Sequence, residues 1–129
     1  AEAFRVLRPG GVLSMSDVTV EGIPRSAGDV AAGLAQLRVW GLRIRQLASA
    51  DQVSAAAAAA GFHDIRVTRC GDRTMDPALR LSAARLAHPT GAPAAHVWAA
   101  RVGIRTAERL RRRGLIDYVL LSARVGGRS

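Results

Sequence analysis

Lysine and asparagine are absent from this 129-residue chain, cysteine occurs once, and aromatic residues make up only 4%. The single cysteine, Cys70, excludes an internal disulfide and a multi-cysteine metal site. Arginines interrupt every hydrophobic stretch, so none approaches the roughly 18 apolar residues of a membrane helix. No basic segment followed by an apolar one opens the chain, and nothing resembles a secretory leader. A cytoplasmic protein with no membrane partner is the expectation. His63, His88 and His96 stand at no metal-ligand spacing from one another or from carboxylates, so no metal is expected.

Acidic residues are also scarce. The 10 carboxylates face 19 basic residues, all arginine, for a formal charge of +9. Arginine without lysine, beside abundant alanine, is the mark of G+C-rich coding and weakens charge as a guide to partners. High basicity suits nucleic acid, but these arginines are spread along the chain. Aromatics interleaved for base stacking are missing. Nucleic acid is therefore not the expected partner. The run Arg109 to Arg113 is expected to be a solvated helix end, favoured by the helix dipole, with Glu108 pairing Arg112.

The length fits one domain, taken as residues 1–129. Ala1 to Leu7 is amphipathic and ends at Arg8-Pro9-Gly10-Gly11, where Pro9 stops a helix and the glycines permit a sharp turn. Val12 to Asp17 then reads as a short buried strand. After a polar connector, a helix is expected over 29–48, with Val30, Leu34, Leu37, Ile44 and Leu47 forming an apolar stripe that Gly41 interrupts. Ser49 and Gln52 make a capping-box pattern for the next helix, which Gly61 should end in the left-handed conformation. Ile65 to Cys70 alternates as a strand, with Ile65 and Val67 inward. Two helices are expected over 76–87 and 94–113, separated by His88 to Pro93 and closed by Gly114. Ile116 to Ala123 is the last strand, apolar on both faces in its middle, and 125–129 should be a loose tail.

The string Arg5-Val6-Leu7-Arg8-Pro9-Gly10-Gly11 closely resembles a segment of class I S-adenosylmethionine-dependent methyltransferases, where it joins a late helix to the fifth strand. The stretch around Gly61-Phe62 resembles that family's entry to its sixth strand. Gly114 to Arg124 resembles its final strand. The resemblance implies an α/β fold: the C-terminal portion of a Rossmann-like methyltransferase domain, with three strands in a mixed parallel and antiparallel sheet and inserted helices. It implies S-adenosylmethionine as cofactor and a small-molecule acceptor. The family's glycine-rich cofactor loop has no counterpart here, because Gly10-Gly11 precedes a strand rather than a helix. No cofactor-binding residue can be assigned in this chain.

Asp17, read at the carboxyl end of its strand, is the candidate catalytic residue, either as a substrate contact or as a base; the alternative is a turn residue. Trp40 is the candidate substrate-binding residue, in the region that covers the acceptor pocket in related enzymes; the alternative is core packing. Trp98 is expected to pack, and Cys70 to be an inert small hydrophobe. His63 precedes a strand but has no catalytic partner in view. An unpaired edge on the Val12 strand implies self-association or an N-terminal partner fragment. Three readings stay open: a methyltransferase portion, a non-catalytic remnant or protein-interaction module of the same fold, and a basic nucleic-acid binder.

Overall fold

The turn at Arg8-Pro9-Gly10-Gly11 is built as its residues demand, in a computed structural model that describes residues 2–126. Gly11 N–H donates to Arg8 O at 2.8 Å, and Gly10 takes φ +76°. That is a turn with proline second and glycine third. It links helix α1 (Glu2–Val6) to strand β1 (Val12–Val20). The rest of the chain runs α2 (Ala27–Trp40), a 3-10 turn (Ile44–Gln46), α3 (Ala50–Ala59), β2 (Phe62–Arg69), α4 (Met75–Ala87), α5 (Ala94–Arg112) and β3 (Ile116–Val125).

The three strands form one sheet in the order β1-β3-β2. Both ladders are antiparallel, with Val18 opposite Tyr118 and Val67 opposite Leu121. This corrects the mixed pairing expected from the sequence. β1 and β2 run the same way, but β3 returns from α5 and inserts between them, so no parallel pair forms among the described residues. β1 keeps one strand neighbour and one open edge.

One face of the sheet is covered by α1 and α3. Phe62, Leu121, Ala123 and Val125 are buried there against Phe4, Leu7, Val53 and Ala57. Phe4 meets Phe62 edge to face at 5.2 Å between ring centroids, a favoured aromatic geometry. α3 begins where the capping box predicts: Ser49 accepts from Gln52 N–H and the Gln52 side chain accepts from Ser49 N–H. Gly61 takes φ +96° at its end. The second cluster, Ala32, Leu110, Leu115 and Ile116, joins α2 and α5 at the start of β3.

Several expectations are corrected. The helix expected over 29–48 stops at Trp40, because Gly41 adopts a left-handed cap at φ +65°, and only one 3-10 turn follows. β1 continues three residues past Asp17, since Val18, Thr19 and Val20 are β-branched and suit a strand. β2 starts at Phe62 and bulges between His63 and Arg66, where Asp64 takes φ +50°. β3 runs on to Val125, whose N–H donates to Gly11 O at 2.9 Å. The loose tail expected from 125 therefore loses its first residue, and 127–129 lie outside the described residues. β3 is central, but Leu120 is 47% exposed, because among the described residues no helix covers that part of the second face. Among the described residues no helix is long and apolar enough to cross a membrane.

Candidate functional site

α2, α4 and α5 gather over one end of the sheet, where β1 finishes and β3 begins. Between them lies a cavity of about 520 Å³, walled by Val18, Trp40, Met75, Leu79, Ile104 and Tyr118. Open α/β sheets place ligands at the carboxyl ends of strands, and Val18 stands near that end of β1. A volume of several hundred Å³ with mostly apolar walls and few polar groups is characteristic of a small-molecule site. Its polar groups are Gln36, Thr74, Ser82 and Tyr118. The Thr74 hydroxyl donates to Cys70 O at 2.6 Å, and the Tyr118 hydroxyl to Ser16 Oγ at 2.9 Å.

A second cavity, about 260 Å³, lies between α2 and the 3-10 turn and is lined by Val30, Leu34, Leu37, Ile44 and Leu47. These are the residues of the stripe expected to form the buried face. Instead α2 buries Asp29, Ala32 and Gln36, and the stripe walls this open chamber. Trp40 and Gln36 line both cavities. Trp40 thus borders both cavities, and it also packs against the Leu110 and Ile116 cluster.

Ion pairs hold the helices in this arrangement. Asp29, fully buried, receives Arg109 Nε at 3.0 Å and Arg113 Nη2 at 3.1 Å. Burial pushes its carboxyl up, but the Ser26 hydroxyl, Arg109, Arg113 and the Arg25 N–H outweigh it and hold the group at about 2. Arg111 bridges Asp76 of α4 at 2.8 Å and Asp117 of β3 at 2.9 Å. Its hydrogen bonds draw the Asp76 carboxyl below the usual range. Arg69 pairs with Glu21 at 2.8 Å and approaches Asp117 at 3.7 Å, joining the ends of β1 and β2.

Arg109, Arg112 and Arg113 are exposed, as expected of a solvated helix end, and Arg112 lies 4.0 Å from Glu108. The run does more than face solvent: Arg109, Arg111 and Arg113 also clamp α5 to α2, α4 and β3. Neighbouring Gly71 is part of the same fit. A Cβ there would overlap the Asp117 carboxylate and stand 2.7 Å from Arg111 Cζ. Gly71→Ala is expected to cost about 1–3 kcal/mol, as overpacking does, read as a lowered midpoint in a thermal melt.

Asp17 is mid-strand, exposed, and outside both cavities. Its Oδ1 accepts from Val18 N–H at 2.7 Å, so it occupies a backbone donor of the edge strand. Trp98, expected to pack, is 69% exposed on α5: it falls one residue past Val97, on the turn of the helix facing solvent. His63 lies 3.3 Å from Asp64 at the bulge; His88 and His96 are exposed. None of the three lines either cavity. Cys70 is half-buried, its Sγ 3.5 Å from Tyr118 O. Gln36, the buried polar group of the site, was missed, since one glutamine inside an amphipathic helix carries no signal.

The cofactor implied by the resemblance finds no fitting residues here. Among the described residues, two helices follow a strand and open near a glycine, α2 at Gly28 and α4 at Gly71, and side chains fill the space at both. A Cβ on Gly28 would stand 2.8 Å from Arg109 Nη2, and Ser26 Oγ is taken by Asp29 N–H. The larger cavity has no carboxylate in its wall to accept ribose hydroxyls.

No family model matches the sequence, and no curated protein matches it. Solved structures do. Phosphoethanolamine N-methyltransferase 2 of Haemonchus contortus, in complex with S-adenosyl-L-methionine, aligns over 96% of this chain with a TM-score of 0.75 and 16% identity. The mycolic acid cyclopropane synthase CmaA1 aligns over 95% with a TM-score of 0.70 and 22% identity. The cyclase SpnF aligns over 98% with a TM-score of 0.57 and 22% identity. This chain spans 28%, 49% and 43% of those three chains, respectively.

Proposed function

We propose, because this chain has the fold of part of an S-adenosylmethionine-dependent methyltransferase domain, that it supplies the acceptor-binding portion of such an enzyme. The observation that carries this reading is the apolar cavity of about 520 Å³ at the carboxyl end of β1. Its walls suit a small, largely apolar acceptor. Methyl transfer depends chiefly on in-line placement of the acceptor, and a rigid apolar pocket supplies placement and excludes water. The cofactor would be held by residues outside this sequence, on a segment that pairs with the open edge of β1. Val12 is exposed along that edge, and the polar Ser14 and Ser16 alternate with Leu13 and Met15. A cytoplasmic setting goes with this reading.

Calorimetry with S-adenosylmethionine tests it. The chain alone should give no heat, while the chain extended by the coding sequence upstream of Ala1 should bind. Micromolar binding by the chain alone would overturn the division of labour proposed here. An extended protein that binds no cofactor would favour the second reading, a non-catalytic module of the same fold. The open β1 edge, which a partner chain can pair with, favours that reading. Nucleic-acid binding has less support, because Arg109, Arg111 and Arg113 are already paired with carboxylates.

A further inference from the structure

A pocket of about 320 Å³ opens on the uncovered face of the sheet, lined by Val12, Asp64, Arg66, Ser122, Ala123 and Arg124. Val18 and the larger cavity stand at the other end of β1, about 20 Å away at the strand rise of roughly 3.3 Å per residue. Val12 and His63 both face Arg124 across the ladders, and Arg66 faces Ser122. Between these pairs β2 advances three residues while β3 advances two, a one-residue bulge. Regular pairing would set Ile65 against Ser122 and turn Arg66 toward the buried face, since side chains alternate. The bulge instead keeps Ile65 and Val67 against the core and sends Arg66 out on the side of Arg124. Asp64 holds it, with a φ of +50° that is the one positive value at a non-glycine position among the described residues. Bulges and strained backbone of this kind concentrate at functional sites.

Two guanidiniums on neighbouring positions of one sheet face repel each other unless an anion lies between them. Arg69, Arg109, Arg111 and Arg113 each have a carboxylate partner. Among the described residues Arg66 and Arg124, both exposed, have none. The carboxylate in the pocket wall, Asp64, lies 3.3 Å from His63 Nδ1 instead. The pocket thus combines excess positive charge, two planar donor forks and the Ser122 hydroxyl with the apolar Val12, which is 53% exposed. One guanidinium fork already satisfies both oxygens of a carboxylate, whereas two forks and a hydroxyl suit a group with three or more oxygens. We infer that Arg66 and Arg124 bind a phosphate group in this pocket, either free phosphate or the monoester of a small organic molecule. The inference stands apart from the acceptor-binding reading, which concerns the other end of the sheet.

The test is calorimetry on the whole chain in a phosphate-free buffer, with inorganic phosphate, phenyl phosphate and the uncharged trimethyl phosphate as probes. Wild type should bind at least one of the two anions with a Kd of about 1 mM or tighter, and trimethyl phosphate not at all. Tighter binding of phenyl phosphate assigns the site to a monoester packed on Val12, and equal binding assigns it to free phosphate. Either result supports the inference. Arg66→Gln and Arg124→Gln should each weaken binding roughly tenfold or more, the scale of a charged hydrogen bond. Both side chains are exposed, so these variants should melt close to wild type, and either one decides the matter if the other fails to fold. Arg105→Gln removes the same charge from an exposed position on α5 and should leave affinity within about twofold, since exposed charges so far apart are screened. No heat from either anion, affinity retained in folded Arg66→Gln and Arg124→Gln, or an equal loss in Arg105→Gln would overturn the inference.

Discussion

Leu121→Ala is expected to lower stability by about 2–5 kcal/mol, the range for emptying a leucine site in a packed core. Domains of this size are stable by roughly 5–15 kcal/mol, so the variant could lose half its margin or more. Leu121 is 1% exposed and lies at the middle of β3, opposite Met15 on one side and Val67 on the other. It packs with Phe62, Ala123 and Val125 beneath α1 and α3. Among the described residues β3 is the only strand that either neighbour pairs with, so loosening it weakens both ladders together. Leu120→Ala, one residue earlier, is the control. Its side chain points to the other face and is half exposed, and surface positions usually change stability by about 0.5 kcal/mol or less. Urea unfolding should show a lower midpoint at unchanged slope for Leu121→Ala, with Leu120→Ala near wild type. An equally large loss at Leu120 would mean that the second face is covered in solution.

Acid should loosen the helical cap before it melts the sheet. Asp29 has its folded carboxyl depressed to about 2 from an ordinary value of 3.8. A depressed carboxyl contributes stability that is fully present above the ordinary value and is lost as pH falls toward the folded one. The contribution from Asp29 is thus expected to fade between roughly pH 4 and pH 2, and the lowered Asp76 acts in the same direction. Asp29→Asn removes the charge and strands Arg109 and Arg113, whose side chains are 44% and 48% exposed and can rehydrate. The variant should melt below wild type at neutral pH, and the two melting temperatures should converge as pH approaches 2. A gap that stays constant across that range would show that the carboxyl does not titrate with folding. Loss of ligand binding should accompany the melt, because the Asp29 clamp holds α2 against α5 beside the cavity.

What was legible in the sequence is what short-range chemistry determines. Ser49 and Gln52 cap α3 through neighbours three residues apart, and Pro9 with Gly10 builds a turn from four residues. The β-branched and apolar stretches mark the strands, though Val18 to Val20 carry the first past Asp17 and Phe62 starts the second three residues before Ile65. The buried face of α2 was not legible. Asp29 and Gln36 look solvent-facing on a helical wheel, yet their partners Arg109, Arg113, Gly103 and Thr106 lie 67 to 84 residues further on. Hydropathy assigns such residues to water, since it cannot register a partner that arrives only in the fold. The same blindness hid the site: Trp40 was singled out by its type, whereas Gln36 beside it was not. Asp17 was given a chemical part because it looked like a strand end, and three further β-branched residues turned it into an edge residue.

The turn at Pro9 has a last consequence, for how such a piece can be exchanged. Gly10 N–H donates to Val125 O at 3.1 Å, and Val125 N–H donates back to Gly11 O at 2.9 Å. Entry to β1 and exit from β3 therefore share a single seam. Everything between them, including all three strands, both cavities and the arginine clamps, forms a loop of chain that closes on itself. Such a loop can be transplanted into a related scaffold through two junctions set side by side, so that both cavities would travel as a cassette while the host's remaining chain is left intact.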